Sequence, residues 1–317
     1  MSKGPSIWRR LGWRAEAVGY DVLSFLLRII PVDWASGLGG SVLQALGPLS
    51  SKHRVVMRNL ELAFPEKSLQ ERNAIARQAW NNLGRMVAEF PLMDRLTVET
   101  GRLEIRGLEH MHALIASGEP GVLVSGHLGN WEVMMAAIVH SGLNCRLSYR
   151  PANNPYVDKR IREIRRRYGV ELFAAKGGEG NRELLAALMR GESVALLNDQ
   201  RDNSGLEAPF FGRLVRSAPA PSRLAMKYGR KLYLGSIQRL KGARFRMTFY
   251  PPEPVVLTGD READMRSAMT QINRFMEARI REAPAEWLWA HRRWPLECYE
   301  ERDLSSEPKA EALASSS

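Results

Sequence analysis

The sequence predicts an α/β protein built on a mixed, mostly parallel β-sheet that is covered by helices on both faces. Between residues 108 and 281, short apolar runs of strand length alternate with helical patterns, which is typical of parallel strands joined by crossover helices. Residues 1–100 contain helical patterns only, and residues 301–317 are rich in Ser, Ala and Glu. We therefore expect a helical lead-in over 1–100, an α/β domain over 101–300 and a disordered tail over 301–317.

The first helical segment, Ala15–Ile30, is largely apolar but contains Glu16, Asp21 and Arg28. It is too short and too charged to predict a membrane-spanning helix with any strength. Tryptophans and arginines flank it, which favours a helix that lies in, or dips into, a membrane interface. The alternative is a core helix, since leucine and isoleucine at helical spacing also occur in protein interiors.

The remaining elements follow from hydrophobic periodicity and from residues that start or stop helices. Small residues over 37–47 predict close helix packing, Pro65 ends a helix over 54–64, and Ser68 to Glu71 has the spacing of a capping box. The capping box opens a helix to residue 90. Further helices are expected at 109–117, 155–168, 181–190, 217–228 and 264–281, and strands at 121–125, 144–149, 170–173, 193–198, 231–238 and 244–250.

The stretch GVLVSGHLGNWE, residues 121–132, is the centre of the predicted fold. A buried strand ends there in a glycine-rich turn, and a helix opens at Glu132. Such turns lie at the carboxyl edge of the sheet, where open α/β folds bind ligands. We therefore expect His127 to face a substrate. Glu132 could fold back and fix the imidazole tautomer, which would leave the other ring nitrogen to accept a hydroxyl proton. The alternative is a structural loop histidine beside an acid favoured by the helix N-terminus.

Three further segments are polar or irregular and come next to predicted strands. YRPANNP occupies residues 149–155, NDQRDN occupies 198–203, and PFFG at 209–212 is suited to lining an acyl channel or to closing the core. A basic run, KRIREIRRR, covers 159–167. Such a run is often a solvated helix face, but beside His127 its arginines could bind phosphate or carboxylate groups.

The formal net charge of +11 indicates an anionic partner, such as a phospholipid surface, a phosphorylated glycolipid, an acidic protein or nucleic acid. We do not expect nucleic acid, because no helix-turn-helix, zinc or RNA-binding motif is present. Cys145 and Cys298 are far apart and lack metal-type spacing. The sequence therefore predicts no metal site and no bound cofactor.

The motifs HLGNWE, YRPANNP, NDQRDNSG, APFFG and PAEWLWAHRRW occur in this order and at roughly this spacing in one family. The chain resembles the lauroyl/myristoyl acyltransferases of bacterial lipid A biosynthesis from about residue 15 to residue 296. The resemblance implies a glycerolphosphate-acyltransferase-like α/β fold on the cytoplasmic face of the inner membrane. It also implies acyl carrier protein as donor and a Kdo-bearing lipid A precursor as acceptor.

By motif position, the resemblance implies that His127 and Glu132 are the catalytic pair, supported by Arg165 and Asp199. Arg150 and Asn130 are the expected substrate-binding residues. A direct transfer is favoured over an acyl-enzyme, because the sequence has no G-x-S-x-G elbow. Backbone amides of the turn at residues 126–130, or an arginine, could stabilise the oxyanion.

Two alternatives remain open. The chain could acylate another glycolipid or a phospholipid, since relatives with other acceptors share the fold. It could also be a basic membrane-binding protein without catalysis, for which only the net charge and the arginine run speak.

Overall fold

The computed structural model describes residues 6–149, 151–169, 173–175, 178–227 and 231–300. The N-terminal part is helical, as predicted, and contains α1 (Ile7–Ile29), α2 (Val32–Leu46), α3 (Lys52–Ala63) and α4 (Leu69–Glu89). The expected disordered tail at 301–317 lies outside the described residues. Within the described part of the chain, no helix is both long enough and apolar enough to cross a membrane.

The sequence-predicted helix signals are present in the structure. The Ser68 side chain caps α4, and the Glu71 carboxylate accepts a hydrogen bond from the Ser68 backbone N–H, which completes the capping box. The small residues of α2 allow close packing on α4: a Cβ atom added at Gly84 would lie 2.1 Å from the carbonyl oxygen of Gly39. The two helix backbones are therefore in direct contact, and only glycine fits at this crossing.

The described residues after α4 alternate strands and helices around a seven-stranded sheet. The helices are α5 (Leu108–Ala116), α6 (Val133–His140), α7 (Pro155–Arg167), α8 (Gly178–Met189), α9 (Ala220–Lys227) and α10 (Arg261–Glu282). The sheet strands are β1 (Leu103–Arg106), β2 (Val122–Ser125), β3 (Cys145–Tyr149), β4 (Phe173–Ala175), β5 (Ser193–Leu197), β8 (Leu232–Arg239) and β9 (Phe245–Phe249). A separate hairpin contains β6 (Arg201–Phe210) and β7 (Arg213–Ser217).

Within the described residues, the sheet order is β1-β9-β8-β2-β5-β3-β4, and only the β8–β9 pair of this sheet is antiparallel. Apolar side chains of α6 pack on one face, and those of α8, α9 and α10 pack on the other. The prediction of a mixed, mostly parallel sheet flanked by helices is confirmed. At the centre, β2 pairs with β5 and β8, so its carboxyl end lies at the middle of the sheet edge.

Three elements differ from the predictions. Strand β1 was not predicted, because its four residues are too few to establish the apolar–charged alternation that they show. Strand β4 begins at Phe173, whereas the predicted strand covered 170–173, of which 170–172 lie outside the described residues. The hairpin β6–β7 was also not predicted. It turns at Phe211 and Gly212, both with positive φ, which is the backbone required at the two central residues of a tight hairpin.

The hairpin also corrects the interpretation of PFFG as an exposed channel loop. Phe210 and Phe211 are buried and pack edge-on against each other, and both contact Trp294. The segment therefore closes the hydrophobic core, which was the second of the two roles considered. Its aromatic rings join the helical lead-in and the sheet in one core cluster.

Candidate active site

The turn after β2 places His127 at the carboxyl edge of the sheet. The register of the parallel pair β2–β5 sets Ser125 opposite Leu197. His127 follows Ser125 by two residues, and Asp199 follows Leu197 by two residues, so the two side chains emerge side by side. A Cβ atom at Gly126 would lie 2.9 Å from the Asp199 carboxylate, so glycine is required for this approach.

Asp199 holds the imidazole of His127. One carboxylate oxygen, Oδ1, lies 2.7 Å from Nδ1 of His127. The other, Oδ2, accepts hydrogen bonds from the His127 backbone N–H at 2.7 Å and from the indole N–H of Trp287 at 2.8 Å. Burial alone would raise the pKa of Asp199, but the electrostatic interaction with the adjacent His127 ring and these three hydrogen bonds lower it well below its usual range. The carboxylate is therefore ionised and fully engaged.

The predicted contact between His127 and Glu132 is corrected by this geometry. Glu132 precedes α6, and its two carboxylate oxygens accept from Arg165 Nε at 3.1 Å and Nη2 at 2.8 Å. Both side chains are about nine-tenths buried. The arginine fork satisfies the Glu132 carboxylate, and Asp199 takes the place beside the imidazole. Sequence spacing along one turn suggested Glu132, but the pairing of β2 with β5 brings the acid of a distant segment closer.

Asn130 does not face a substrate in this structure, which corrects its expected binding role. Its side chain is fully buried. The amide Nδ2 donates to Glu89 at 2.8 Å, and Oδ1 accepts from the Glu132 backbone N–H at 3.2 Å. Glu89 itself is fully buried and forms an ion pair with Arg239. Asn130 therefore fixes the turn onto α4 and β8.

The segment PAEWLWAHRRW supports the turn from the opposite side. Gly129 donates its backbone N–H to the Glu286 carbonyl at 2.9 Å, and Leu288 donates to the His127 carbonyl at 3.1 Å. Burial raises the pKa of the Glu286 carboxyl to about 7. The hydrogen bond from the Arg239 backbone N–H and the charge of Arg239 oppose this rise but do not cancel it. This backbone pairing explains why the two motifs occur together.

The turn at residues 126–130 has few free amides for an oxyanion. The backbone N–H groups of His127, Leu128 and Gly129 already donate to Asp199, the Gly126 carbonyl and the Glu286 carbonyl, respectively. The guanidinium of Arg165 is paired with Glu132. These three amides therefore cannot bind an oxyanion without breaking a hydrogen bond of the turn, which favours a side-chain donor near His127.

A cavity lined mainly by apolar side chains lies between α6 and the sheet. Its lining comes from β2, β3, β5, β8, β9 and α6, with Glu132 and Arg165 as charged groups in its wall. His127 is not part of the lining. The indole of Trp131 does line it, and it contacts the His127 ring edge-on at a centroid distance of 5.0 Å. Trp131 therefore connects the cavity wall with the imidazole.

The basic run lies on α7, and its arginines have different roles. Arg165 faces Glu132, whereas Arg166 and Arg167 pair with Glu163 on the exposed face. The other end of α7 is fixed to α1, where Arg160 pairs with Asp21. Arg165 is thus the arginine of the run that reaches the site, and Arg150 lies outside the described residues.

Sequence reasoning missed four residues of the site. Gln200 faces the free ring nitrogen of His127, Trp287 donates to Asp199, and the Glu89–Arg239 pair holds Asn130. Gln200 follows Asp199 in the NDQ motif, so the predicted strand end could have indicated it. A signal for Glu89 is also present, because this charged residue stands within the apolar stretch VAEFPL.

The amino-acid sequence that forms this site is similar to the sequences of known proteins. The chain matches the family model of bacterial lipid A biosynthesis acyltransferases over residues 17–295. It is 26% identical to a lipid A biosynthesis lauroyltransferase of Escherichia coli (strain K12) over 301 residues, 92% of each chain. It is 25% identical to the palmitoleoyltransferase of lipid A biosynthesis from the same organism over 261 residues, 78% of this chain and 79% of the relative.

Similarity extends to enzymes with another named acceptor. The chain is 25% identical to a phosphatidylinositol mannoside acyltransferase of Mycolicibacterium smegmatis over 303 residues, 92% of this chain and 95% of the relative. The match to the family model nevertheless covers most of the sequence, including every segment that forms the His127 site. This chain belongs to the bacterial lipid A biosynthesis acyltransferase family.

Proposed function

We propose that the protein transfers a fatty acyl chain from the thioester of acyl carrier protein to a hydroxyl group of a lipid A precursor. The observation that carries the proposal is the His127–Asp199 pair, 2.7 Å apart, with Trp131 joining it to an apolar cavity. A base at the edge of an apolar cavity suits a reaction between an alcohol and a long-chain thioester.

The proposed reaction is a direct transfer with His127 as general base. The ionised Asp199 accepts from Nδ1–H, so Nε2 carries the lone pair and takes the hydroxyl proton as the oxygen attacks the thioester carbonyl. The carbonyl electron pair becomes an oxyanion. When it collapses, the carbon–sulfur bond breaks, and the leaving thiolate takes the proton from Nε2. The products are an ester and the free carrier thiol, and His127 returns to its starting state.

The acyl chain of the donor is proposed to occupy the cavity under α6. The side chains of Met134, Met135 and Ile138 form its roof, and Leu147 and Ala195 belong to its floor. Methionine side chains adapt to chains of different shape. Glu132 and Arg165 belong to the same wall, where their fixed ion pair would orient the polar end of the thioester.

The protein is proposed to work on the cytoplasmic face of the inner membrane, held there by two helices. Exposed apolar side chains follow one another at helical spacing on α1, at Trp8, Leu11, Val18, Val22, Phe25 and Ile29, and on α2, at Trp34, Leu38, Val42 and Leu46. Such stripes exceed the scattered apolar residues of ordinary surfaces. The net charge of +11 adds attraction to anionic lipids.

A membrane-binding test can leave the active site unchanged. The double substitution Trp34→Ser and Leu38→Ser is expected to weaken binding to vesicles of phosphatidylethanolamine and phosphatidylglycerol at least about tenfold, because two apolar side chains lose their burial in lipid. Leu69→Ser, at an exposed leucine of α4, is the matched control. Equal vesicle binding by the wild type and the double variant would contradict a role for α2.

The acceptor has a second candidate, because relatives in this family include phosphatidylinositol mannoside acyltransferases. Mass spectrometry of total glycolipids from cells with and without the protein distinguishes the two. We expect lipid A to lose the mass of one acyl chain when the protein is absent. An unchanged lipid A with a deacylated mannoside or other glycolipid would identify the second acceptor class. Unchanged lipids of every class would refute the acyltransferase proposal.

A further inference from the structure

The Nε2 atom of His127, the ring nitrogen that Asp199 does not contact, faces the carboxamide of Gln200. The Nε2 atoms of the two residues lie 3.4 Å apart. Gln200 directly follows Asp199 in the chain. These two neighbouring residues therefore contact the two ring nitrogens of His127, Asp199 at Nδ1 and Gln200 at Nε2. Its side chain is only partly buried, which leaves it room to move.

The orientation of the Gln200 amide follows from Asp199. An ionised carboxylate can only accept hydrogen bonds, so Nδ1 of His127 must carry the ring proton. Nε2 is then a lone-pair acceptor, and the group of Gln200 that faces it must be the NH₂ group. An amide oxygen at this position would place two acceptors together. Gln200 is therefore a hydrogen-bond donor located where the hydroxyl of an acceptor has to approach.

The backbone of Gln200 is fixed on both sides. Asn198 donates its backbone N–H to the Ser125 carbonyl at 2.9 Å, which continues the pairing of β5 with β2. Arg201 donates its backbone N–H to Nε2 of His291 at 3.2 Å. Only the side chain is free to rotate, so its NH₂ group stays within a few ångströms of Nε2 when a hydroxyl displaces it.

We propose that Gln200 supplies a hydrogen bond to the oxyanion of the tetrahedral intermediate. This inference rests on the proposed acyl transfer. The attacking oxygen must lie within hydrogen-bond distance of Nε2, and the oxyanion is two bonds away from that oxygen. A donor displaced from Nε2 therefore has the oxyanion as its nearest acceptor. The backbone N–H groups of His127, Leu128 and Gly129 in the turn already have hydrogen-bond partners. Gln200 would supply the oxyanion contact that these amides do not.

The kinetic test uses the purified full-length protein with lauroyl–acyl carrier protein as donor and a Kdo-bearing lipid A precursor as acceptor. Gln200→Ala is expected to lower kcat about 100-fold, at the lower end of the loss caused by removing an oxyanion donor. KM should change less than about threefold, because the contact forms only in the transition state. Gln238→Ala, at an exposed glutamine of β8, is the matched control.

Gln200→Glu separates a catalytic role from a structural one. A carboxylate next to Nε2 stabilises the imidazolium and repels the oxyanion. The variant is therefore expected to be slower than Gln200→Ala, and the acidic limb of its pH–rate profile should move to higher pH. The shift of the limb reports that residue 200 lies next to Nε2. A residue that only supports the fold would lower the thermal midpoint and leave kcat on the pH plateau equal in Gln200→Ala and Gln200→Glu.

The outcomes distinguish this inference from the proposed function. A wild type that transfers acyl chains, together with a Gln200→Ala variant of unchanged kcat, would overturn the role of Gln200 alone. A variant whose KM rises while kcat is kept would also overturn it, since the contact would then belong to ground-state binding. A wild type that transfers nothing would refute the proposed function itself.

Discussion

Replacing Asp199 by asparagine tests which acid orients His127. In the structure, Oδ2 accepts from the His127 backbone N–H at 2.7 Å and from the Trp287 indole at 2.8 Å, so the amide oxygen of an asparagine must occupy that position. The NH₂ group of the asparagine then occupies the position of the present Oδ1, which lies 2.7 Å from Nδ1 of His127. Two donors cannot share this contact, so the ring proton moves to Nε2.

The tautomer change removes the base. With a proton already on Nε2, His127 cannot accept the hydroxyl proton, and we expect kcat to fall about 10⁴-fold, the loss that the same replacement causes in a serine protease triad. This corresponds to about 5 kcal/mol of transition-state stabilisation. The variant should remain folded, because asparagine has the same shape, keeps the two hydrogen bonds of the present Oδ2 and donates from its NH₂ group to Nδ1.

Glu132→Gln is the comparison variant, because Glu132 contacts Arg165. Transfer should fall about 100-fold, since the guanidinium loses its fixed position in the cavity wall, but the imidazole tautomer should not change. The ¹⁵N chemical shifts of the labelled imidazole report the tautomer directly. A tautomer that changes in Glu132→Gln and stays unchanged in Asp199→Asn would refute the assignment of Asp199.

Three further predictions concern stability, pH and chain length. Gly84→Ala should destabilise the fold by about 1–3 kcal/mol, because the new methyl group meets the α2 backbone. Gly37→Ala, at a position of α2 with open space around it, should raise the midpoint of thermal unfolding slightly. Equal thermal midpoints of the two variants would contradict the tight crossing. Because the pKa of Glu286 is raised to about 7, the folded state binds more protons than the unfolded chain from about pH 4.5 to 7, and stability should fall as pH rises through that window. Glu286→Gln should flatten this dependence in urea unfolding, and an unchanged slope would count against the buried carboxyl. Ala195→Leu should reduce the cavity and shift donor preference to shorter acyl chains in competition assays; an unchanged preference would locate the chain elsewhere.

Local patterns were sufficient to predict much of the fold. The capping box at Ser68 and the apolar strands at 121–125 and 193–198 are local signals, and the corresponding elements appear within a few residues of the predicted bounds. The hairpin at 201–217 was not predicted, because its strands pair with each other outside the main sheet and its turn depends on a positive φ at Phe211.

The candidate site was predicted only in part, because its contacts also depend on pairing between segments that are distant in the sequence. His127 and Asp199 were both assigned to strand ends, but their contact depends on β2 and β5 being neighbours, which strand order alone determines. Glu132 was preferred because it is close in sequence. The burial of Asn130 depends on Glu89, which lies on a helix of the lead-in 41 residues away along the chain. Long-range pairing of this kind has no signature in a single sequence.

The central claim is that the imidazole of His127 is the base for acyl transfer. The most direct measurement is the rate at which purified wild type and His127→Gln convert a Kdo-bearing lipid A precursor to a product heavier by one acyl chain, with lauroyl–acyl carrier protein as donor. We predict a product for the wild type and a loss of at least about 10³-fold for the variant, with vesicle binding and thermal midpoint retained. A variant that transfers at the wild-type rate would contradict the account.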